Sequence, residues 1–138
     1  MTGVAPWVPV EPTTNPTAIL GPLPFDLGSV SMPIPMSVVP AGATGILVFA
    51  WAVLSGVNSA LADWHFASRL ANRPTNWFSL MAAGDPGGNG VTCNSQAFWL
   101  PAPVDRTLVV TLYGNALSSP TNQGAVEIHG YYPGGAST

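Results

Sequence analysis

Charged side chains are scarce in this chain of 138 residues. They make up 7% of the sequence against 47% apolar residues, and lysine is absent. An ordinary soluble domain has about a quarter charged residues. Low charge removes the repulsion that keeps copies apart, and exposed apolar groups gain free energy when they are buried. The composition therefore predicts a surface that associates with other protein surfaces, with a weakly charged secreted monomer as the alternative.

Basic residues are too few to bind polyanions. The formal net charge is −3, and the basic side chains are the scattered arginines Arg69, Arg73 and Arg106. Nucleic-acid binding depends on lysines and arginines that neutralise several phosphates, and adsorption to anionic membranes depends on similar clusters. We therefore expect neither a nucleic acid nor a membrane among the partners of this protein.

Cysteine is nearly absent as well. Cys93 is the single cysteine of the chain, so an intrachain disulfide is excluded. The sequence favours a buried, small apolar role for Cys93, with an intermolecular bridge or a reactive thiol as alternatives. One cysteine and two well-separated histidines, His65 and His129, do not make a zinc ligand set. We expect no metal and no cofactor.

An apolar segment long enough to span a membrane is also missing from the sequence. Residues 38–62 carry no charge, but only residues 46–54 are densely apolar. A spanning helix needs about 20 mostly apolar residues, so the short run predicts a buried strand. The N-terminus lacks a basic segment followed by an uninterrupted apolar stretch, and no signal peptide is expected.

Proline is abundant, and it is concentrated near the N-terminus, where the first 40 residues hold nine of the 15 prolines. Proline has no amide hydrogen to donate and is excluded from helix interiors and central strands. Apolar residues are interleaved with these prolines, which is unusual for a disordered tail. We expect an extended arm over residues 1–27, lying along its own domain or a neighbouring subunit, and a β-sandwich domain over residues 28–138.

Beyond the arm, short apolar or alternating runs are separated by clusters of Gly, Pro, Asn, Asp and Ser. This pattern predicts an all-β fold, an antiparallel β-sandwich of jelly-roll-like type. A single short helix fits only near residues 57–63. The expected strands lie near residues 28–32, 45–54, 62–70, 75–82, 91–100, 106–114 and 124–132.

Two runs near the C-terminus alternate most clearly. In residues 105–114, one face carries Leu108, Val110 and Leu112, and both faces look at least half covered. In residues 124–132, one face looks exposed to water. A strict period of two there places Val126, Ile128 and Tyr132 on one side and Glu127, His129 and Tyr131 on the other.

Patterns typical of catalytic sites are weak. Asp63 and His65 are two residues apart, so on a strand they share a face and a hydrogen bond between them is possible. A Gly-x-Ser-x-Gly nucleophile elbow is absent from the sequence. The glycine-rich loop around Asp85 lacks the lysine of a phosphate loop and the carboxylates of a calcium loop, which favours a simple turn. No enzymatic activity is expected.

Adjacent aromatic pairs occur at residues 77–78, 98–99 and 131–132. Neighbouring side chains of a strand point to opposite faces of the sheet, so one member of each pair faces away from a single core. Exposed Trp and Tyr often mark a protein interface or a platform for sugars, whereas an arm or loops covering both faces would be the structural alternative. The predicted interface comprises Trp7, Val10, Leu20, Phe25, Trp77, Trp99, Tyr131 and Tyr132.

Three features together resemble small structural proteins of viruses and bacteriophages, such as capsid proteins, capsid decoration (cement) proteins and fibre modules. They are the Pro-rich apolar arm, the run of residues 98–114 and the closing strand of residues 127–132. The resemblance implies a jelly-roll-like sandwich in an extracellular particle, the virion, with homotrimeric or higher assembly. It also implies a major capsid or other structural protein as a partner. The lack of a basic arm favours an outer or accessory role.

A carbohydrate-binding module is the alternative function. Its binding side chains would be Trp, Tyr, Asn and Gln in loops at residues 72–77, 83–95 and 115–123. A lectin binds glycans as an isolated domain, whereas an assembly subunit elutes as a multimer. The two functions therefore predict different behaviour in solution.

Overall fold

The computed structural model describes residues 6–55, 61–70, 73–84, 90–117, 119 and 121–134, without the side chains of residues 69, 70 and 73–77. Its elements are nine strands and one short 3-10 helix. Within the described residues, no helix is long and apolar enough to cross a membrane. The strands are β1 (Val8–Pro9), β2 (Ile19–Leu20), β3 (Gly28–Pro33), β4 (Gly45–Ser55), β5 (Leu61–Leu70), β6 (Arg73–Ala83), β7 (Val91–Pro101), β8 (Thr107–Gly114) and β9 (Gln123–Tyr132), and the 3-10 helix is Pro16–Ala18.

Two antiparallel sheets form the fold. Sheet A has the order β1-β9-β4-β7, and β2 also pairs with β9. Sheet B has the order β3-β8-β5-β6. The central strands are therefore β9 and β4 in sheet A and β8 and β5 in sheet B. Because strands that are distant in sequence are neighbours in both sheets, side chains from separate parts of the chain meet on each sheet face.

The core lies between the two sheets. Strand β5 contributes Trp64 and Phe66, and both are fully buried. Strand β8 contributes Leu108, Val110 and Leu112. Strand β4 contributes Ile46 and Val48. The expected alternation in residues 105–114 is confirmed, since Leu108, Val110 and Leu112 are buried while Thr107, Val109 and Thr111 are half-buried.

The strands predicted beyond the arm are all confirmed, with ends that differ by at most two residues. Their success has a local cause, because period-two alternation and Gly or Pro clusters are set by neighbouring residues. The predicted helix near residues 57–63 is wrong at its end, where residues 61–63 begin strand β5. Its first part, residues 57–60, lies outside the described residues, as does the predicted turn at Asp85.

A β-bulge in β9 overturns the predicted facing of its last residues. Val48 pairs with Ile128, but the preceding Leu47 pairs with Gly130, so the register shifts between them. One extra residue in a strand reverses which face the following side chains occupy. Consequently Tyr131 packs against the core and Tyr132 lies on the outer face, the reverse of the strict alternation.

The arm runs along the free edge of β9. β1 pairs with β9 at Gly130 and Tyr131, and β2 pairs with it at Val126 and Glu127. Ala18, Leu20 and Leu23 of the arm are buried in the common core. The described part of the arm is thus integrated with the sheet, while a domain boundary at residue 27 stays a prediction.

Candidate interaction surface

Strand β4 is apolar on both faces. Its inward side chains are buried, and the outward ones, Leu47, Phe49, Trp51 and Val53, are half-buried. Antiparallel sheets that face water on one side alternate apolar and polar residues, and β4 does not. Flanking strands and the arm add Trp99, Tyr132 and Trp7, each more than a third exposed. We call this outer surface of sheet A the aromatic face; it comprises Trp7, Leu47, Phe49, Trp51, Val53, Trp99 and Tyr132.

Three rings from three parts of the chain meet at one end of the aromatic face. The ring centroids of Trp7 and Trp99 are 5.7 Å apart in an edge-to-face arrangement. Those of Trp99 and Tyr132 are 4.7 Å apart. Trp7 reaches this position across Gly130, where a Cβ atom would lie 2.5 Å from the indole ring. The missing side chain at Gly130 is therefore what allows the arm to lie against the sheet.

A polar network lies in the middle of the aromatic face. The indole nitrogen of Trp51 donates a hydrogen bond of 2.7 Å to Oε2 of Glu127. The Nε2 atom of His129 lies 3.0 Å from Oε1 of the same carboxylate, and the imidazole packs against Phe49 at 5.2 Å. Both carboxylate oxygens of Glu127 are engaged, so this charge is held in place within an otherwise apolar surface.

Cys93 lies on this same surface, and its expected burial is wrong. The thiol is exposed on β7, opposite Val53 of β4. β7 is the last strand of sheet A, and most of its side chains from residue 91 to 97 are exposed, so none of the described residues covers this part of the strand. A shallow depression of about 260 Å³ beside the thiol is lined by Trp51, Ala52, Val53, Cys93, Asn94 and Ser95.

The outer surface of sheet B has a different character. Ser29 and Thr111 join their hydroxyl groups at 2.6 Å across β3 and β8. Tyr113 packs against His65 at 4.4 Å between centroids. We call this surface the mixed face, because it carries many small polar side chains and only a few large apolar ones. It comprises Ser29, Ser31, Asp63, His65, Ser79, Met81, Thr107, Val109, Thr111 and Tyr113.

The expected hydrogen bond between Asp63 and His65 is confirmed, with Nε2 of His65 lying 2.6 Å from Oδ2 of Asp63. The other carboxylate oxygen, Oδ1, is buried without a hydrogen-bond partner. In the part of the chain that is described, no serine hydroxyl hydrogen-bonds to this imidazole, and no cluster of three metal-ligating side chains occurs. The pair fixes the orientation of the histidine on an open sheet surface.

The structure brings together only part of the predicted interface. Trp7, Trp99 and Tyr132 meet on the aromatic face. The other predicted residues with described side chains turn towards the core: Leu20 is buried, and Val10, Phe25 and Tyr131 are partly buried against it. Trp77 lies in β6, but its side chain is outside the described ones.

Sequence reasoning missed the outward side chains of β4, namely Leu47, Phe49, Trp51 and Val53. The signal was present, because residues 46–54 are apolar at every position rather than at every second one. An uninterrupted apolar strand is typical of a sheet covered on both faces. The apolar run of residues 46–54 correctly predicted a buried strand. The same run is also typical of a strand whose outer face is covered.

Two of the three loops assigned to a carbohydrate site overlap strands, and parts of all three lie outside the described residues. Residues 73–77 belong to β6, and residues 91–95 belong to β7. Of the third loop, Asn122 is buried, and its side-chain oxygen accepts a hydrogen bond of 3.0 Å from the amide of Ser55. A buried amide with this role stabilises the loop instead of facing a ligand.

No protein-family model and no curated protein sequence matches this chain. Among solved structures, its fold is similar to that in the crystal structure of murine APRIL at pH 5.0, with a TM-score of 0.50 and 12% sequence identity. The match covers 79% of this chain and 97% of that chain. At such low identity the similarity shows the fold alone, and it confirms the prediction of a jelly-roll-like β-sandwich.

Proposed function

We propose that this protein is a structural subunit that assembles with copies of itself through the aromatic face. The observation that carries the proposal is strand β4, whose outward side chains Leu47, Phe49, Trp51 and Val53 are all apolar. A two-layer sandwich buries only the inner faces of its sheets. A second protein surface is therefore needed to remove these side chains from water, which would be worth roughly 25 cal/mol per Å² buried.

A second copy of the chain is the partner best matched to this face. The face is apolar and nearly uncharged, and its one carboxylate, Glu127, is already bonded to Trp51 and His129. Contact between copies through such faces brings few like charges together, and their Trp and Tyr side chains are the residue types that dominate interface energies. The expected assembly is a homotrimer or a larger oligomer.

The finer proposal is a virion or bacteriophage role, as a capsid or capsid-decoration protein that also contacts a major capsid or other structural protein. It is supported by the sequence resemblance, by the extended arm and by the scarcity of charge. The proposed role is mechanical and not enzymatic. His65 and Asp63 then serve to order the sheet B surface, where their hydrogen bond joins neighbouring side chains.

Two matched substitutions test the proposal. Val53 and Val109 are both half-buried valines that point outward from central strands, one on the aromatic face and one on the mixed face. An unpaired carboxylate buried at an interface costs several kcal/mol. Val53→Asp should therefore weaken association by at least about a hundredfold, whereas Val109→Asp should leave it intact. Light scattering at micromolar concentration measures both.

A monodisperse single copy of the unaltered protein in that measurement would refute the proposal. Equal effects of the two substitutions would also refute it, because they would show that the aromatic face is not special. A soluble single copy that binds to a glycan array would favour the carbohydrate-binding alternative.

Thiol labelling provides a test without disturbing the interface. Cys93 is exposed in the single copy and lies on the aromatic face. We expect it to react slowly with a thiol reagent in the assembled protein and quickly once dilution has separated the copies. Ser31→Cys in a Cys93→Ser background is the control, because residue 31 lies on the mixed face and should react quickly in both states.

A further inference from the structure

We propose that the arm is exchanged between copies, so that residues 6–25 of one copy lie on strand β9 of a neighbouring copy and form there the contacts seen within one chain. This inference rests on the proposed self-assembly and names the segment that links the subunits. The segment that occupies the β9 edge is then the same arm from a second copy.

The edge of β9 is shaped to receive this arm. At Gly124 a Cβ atom would lie 2.9 Å from Cδ1 of Leu23, and at Gly130 one would lie 2.5 Å from the Trp7 ring. Gly130 therefore stands where the Trp7 ring crosses β9, whereas a Cβ atom at Gly124 would also lie 2.9 Å from the carbonyl oxygen of Trp51 within sheet A. The position matched to Trp7 favours this sequence over an unrelated extended peptide.

The bonds that hold the arm do not depend on which copy supplies it. The amide of Val10 donates a hydrogen bond of 3.0 Å to the carbonyl oxygen of His129. The amide of Leu23 donates one of 2.9 Å to the carbonyl oxygen of Gly124. Strands β1 and β2 add backbone pairing between these points. An extended segment that adds to a sheet edge obtains its affinity from such main-chain bonds, and side-chain positions give specificity.

The last residues of the arm are also held by the receiving domain. The indole of Trp64 donates a 2.8 Å hydrogen bond to the carbonyl of Pro24, and the ring of Phe25 packs edge-to-face on the same indole. The chain then turns into β3 through Leu27, which is 59% exposed, and Gly28, which has a φ of 135° and open space around its Cα. This exposed connection is where the chain can change direction without disturbing the core.

The arm and the proposed interface are continuous. Trp7 at the tip of the described arm is part of the aromatic face, where it contacts Trp99. Residues 26–28 span about 10 Å when extended, a distance similar to the spacing of two packed sheets. Only copies that lie close together beside this connection can therefore exchange arms.

Disulfide trapping tests the exchange in the full chain. Ile19 in β2 and Glu127 in β9 are directly paired, and Ile19 is 46% exposed. In a Cys93→Ser background, Ile19→Cys with Glu127→Cys should form a disulfide upon oxidation. Exchange predicts that most of the chain then runs as covalent dimers or larger species in non-reducing denaturing electrophoresis.

Ser29→Cys with Thr111→Cys is the matched control in the same background. These side chains touch at 2.6 Å across β3 and β8, on the body side of the connection, so their disulfide should stay within one chain. Light scattering of each sample before denaturation separates the two hypotheses. A multimer whose arm disulfide yields only monomers overturns the exchange and leaves the assembly proposal standing. A single copy in solution overturns both.

A photo-crosslinking amino acid at position 19 provides a second readout if the double variant does not fold. It changes one exposed side chain and keeps Glu127 with its hydrogen bonds to Trp51 and His129. Irradiation should yield interchain products that join position 19 to β9 beside Glu127 if arms are exchanged, as mass spectrometry of the crosslinked peptides identifies. Crosslinks from position 19 to β9 found only within one chain would overturn the inference.

Discussion

The two outer faces of the sandwich both belong to antiparallel sheets, but they differ in the chemistry of their side chains. Each carries one histidine hydrogen-bonded to a carboxylate two residues earlier, His129 with Glu127 in sheet A and His65 with Asp63 in sheet B. On the aromatic face this pair is surrounded by Trp, Phe and Leu side chains, whereas hydroxyl side chains surround its counterpart on the mixed face. The difference shows that the pair of a histidine and a carboxylate alone does not define a site.

Among substitutions that shorten a side chain, the largest loss of association is expected from Trp99→Ala, compared with Tyr113→Ala. Trp99 is 37% exposed and contacts both Trp7 and Tyr132. Removal of an aromatic hot-spot side chain from an interface costs at least about 2 kcal/mol, or roughly thirtyfold in affinity. Tyr113→Ala on the mixed face should leave association unchanged. Sedimentation equilibrium measures both association constants. A loss of association confined to the Tyr113→Ala variant would show that the interface lies on sheet B instead.

A smaller effect, on the free energy of unfolding, is expected from Gly130→Ala. The added methyl group would overlap the Trp7 ring and displace the arm tip from the aromatic face. Overpacking of this kind costs about 1–3 kcal/mol in the free energy of unfolding, which a urea titration measures through tryptophan fluorescence.

Gly45→Ala is the control for that substitution. A Cβ atom at position 45 meets its nearest neighbours at 3.5 Å, an ordinary contact distance. Its free energy of unfolding should change by less than about 1 kcal/mol. Equal losses in the two glycine variants would contradict the role of Gly130 in seating Trp7.

The smallest effect is expected from the two histidines. Solvent-accessible ion pairs contribute about 0–1 kcal/mol. His129→Ala removes an imidazole that packs against Phe49, so association should fall by up to about fivefold. His65→Ala should leave the association constant unchanged, as measured by light-scattering dilution series. A larger loss in the His65 variant would place the mixed face in the interface.

The strands and much of the core were predictable, since they depend on patterns a few residues long. The alternation in residues 105–114 placed Leu108, Val110 and Leu112 on one face, which is the buried one, and the apolar run of residues 46–54 identified β4. Tyr131 and Tyr132 were assigned to the wrong faces because the bulge in β9 is defined only by its pairing with β4. The exposure of Cys93 was missed because β7 is an edge strand, and edge position depends on the order of all strands.

By itself, the sequence determined that the chain forms an antiparallel sandwich and that its N-terminal segment is rich in proline and apolar residues. Those properties follow from composition and from the periodicity of neighbouring residues. Only the tertiary structure decided that Trp7, Trp99 and Tyr132 form one cluster and that Gly130 makes room for the arm. Each of these contacts joins strands far apart in the chain, so it exists only once the order and register of sheet A are fixed.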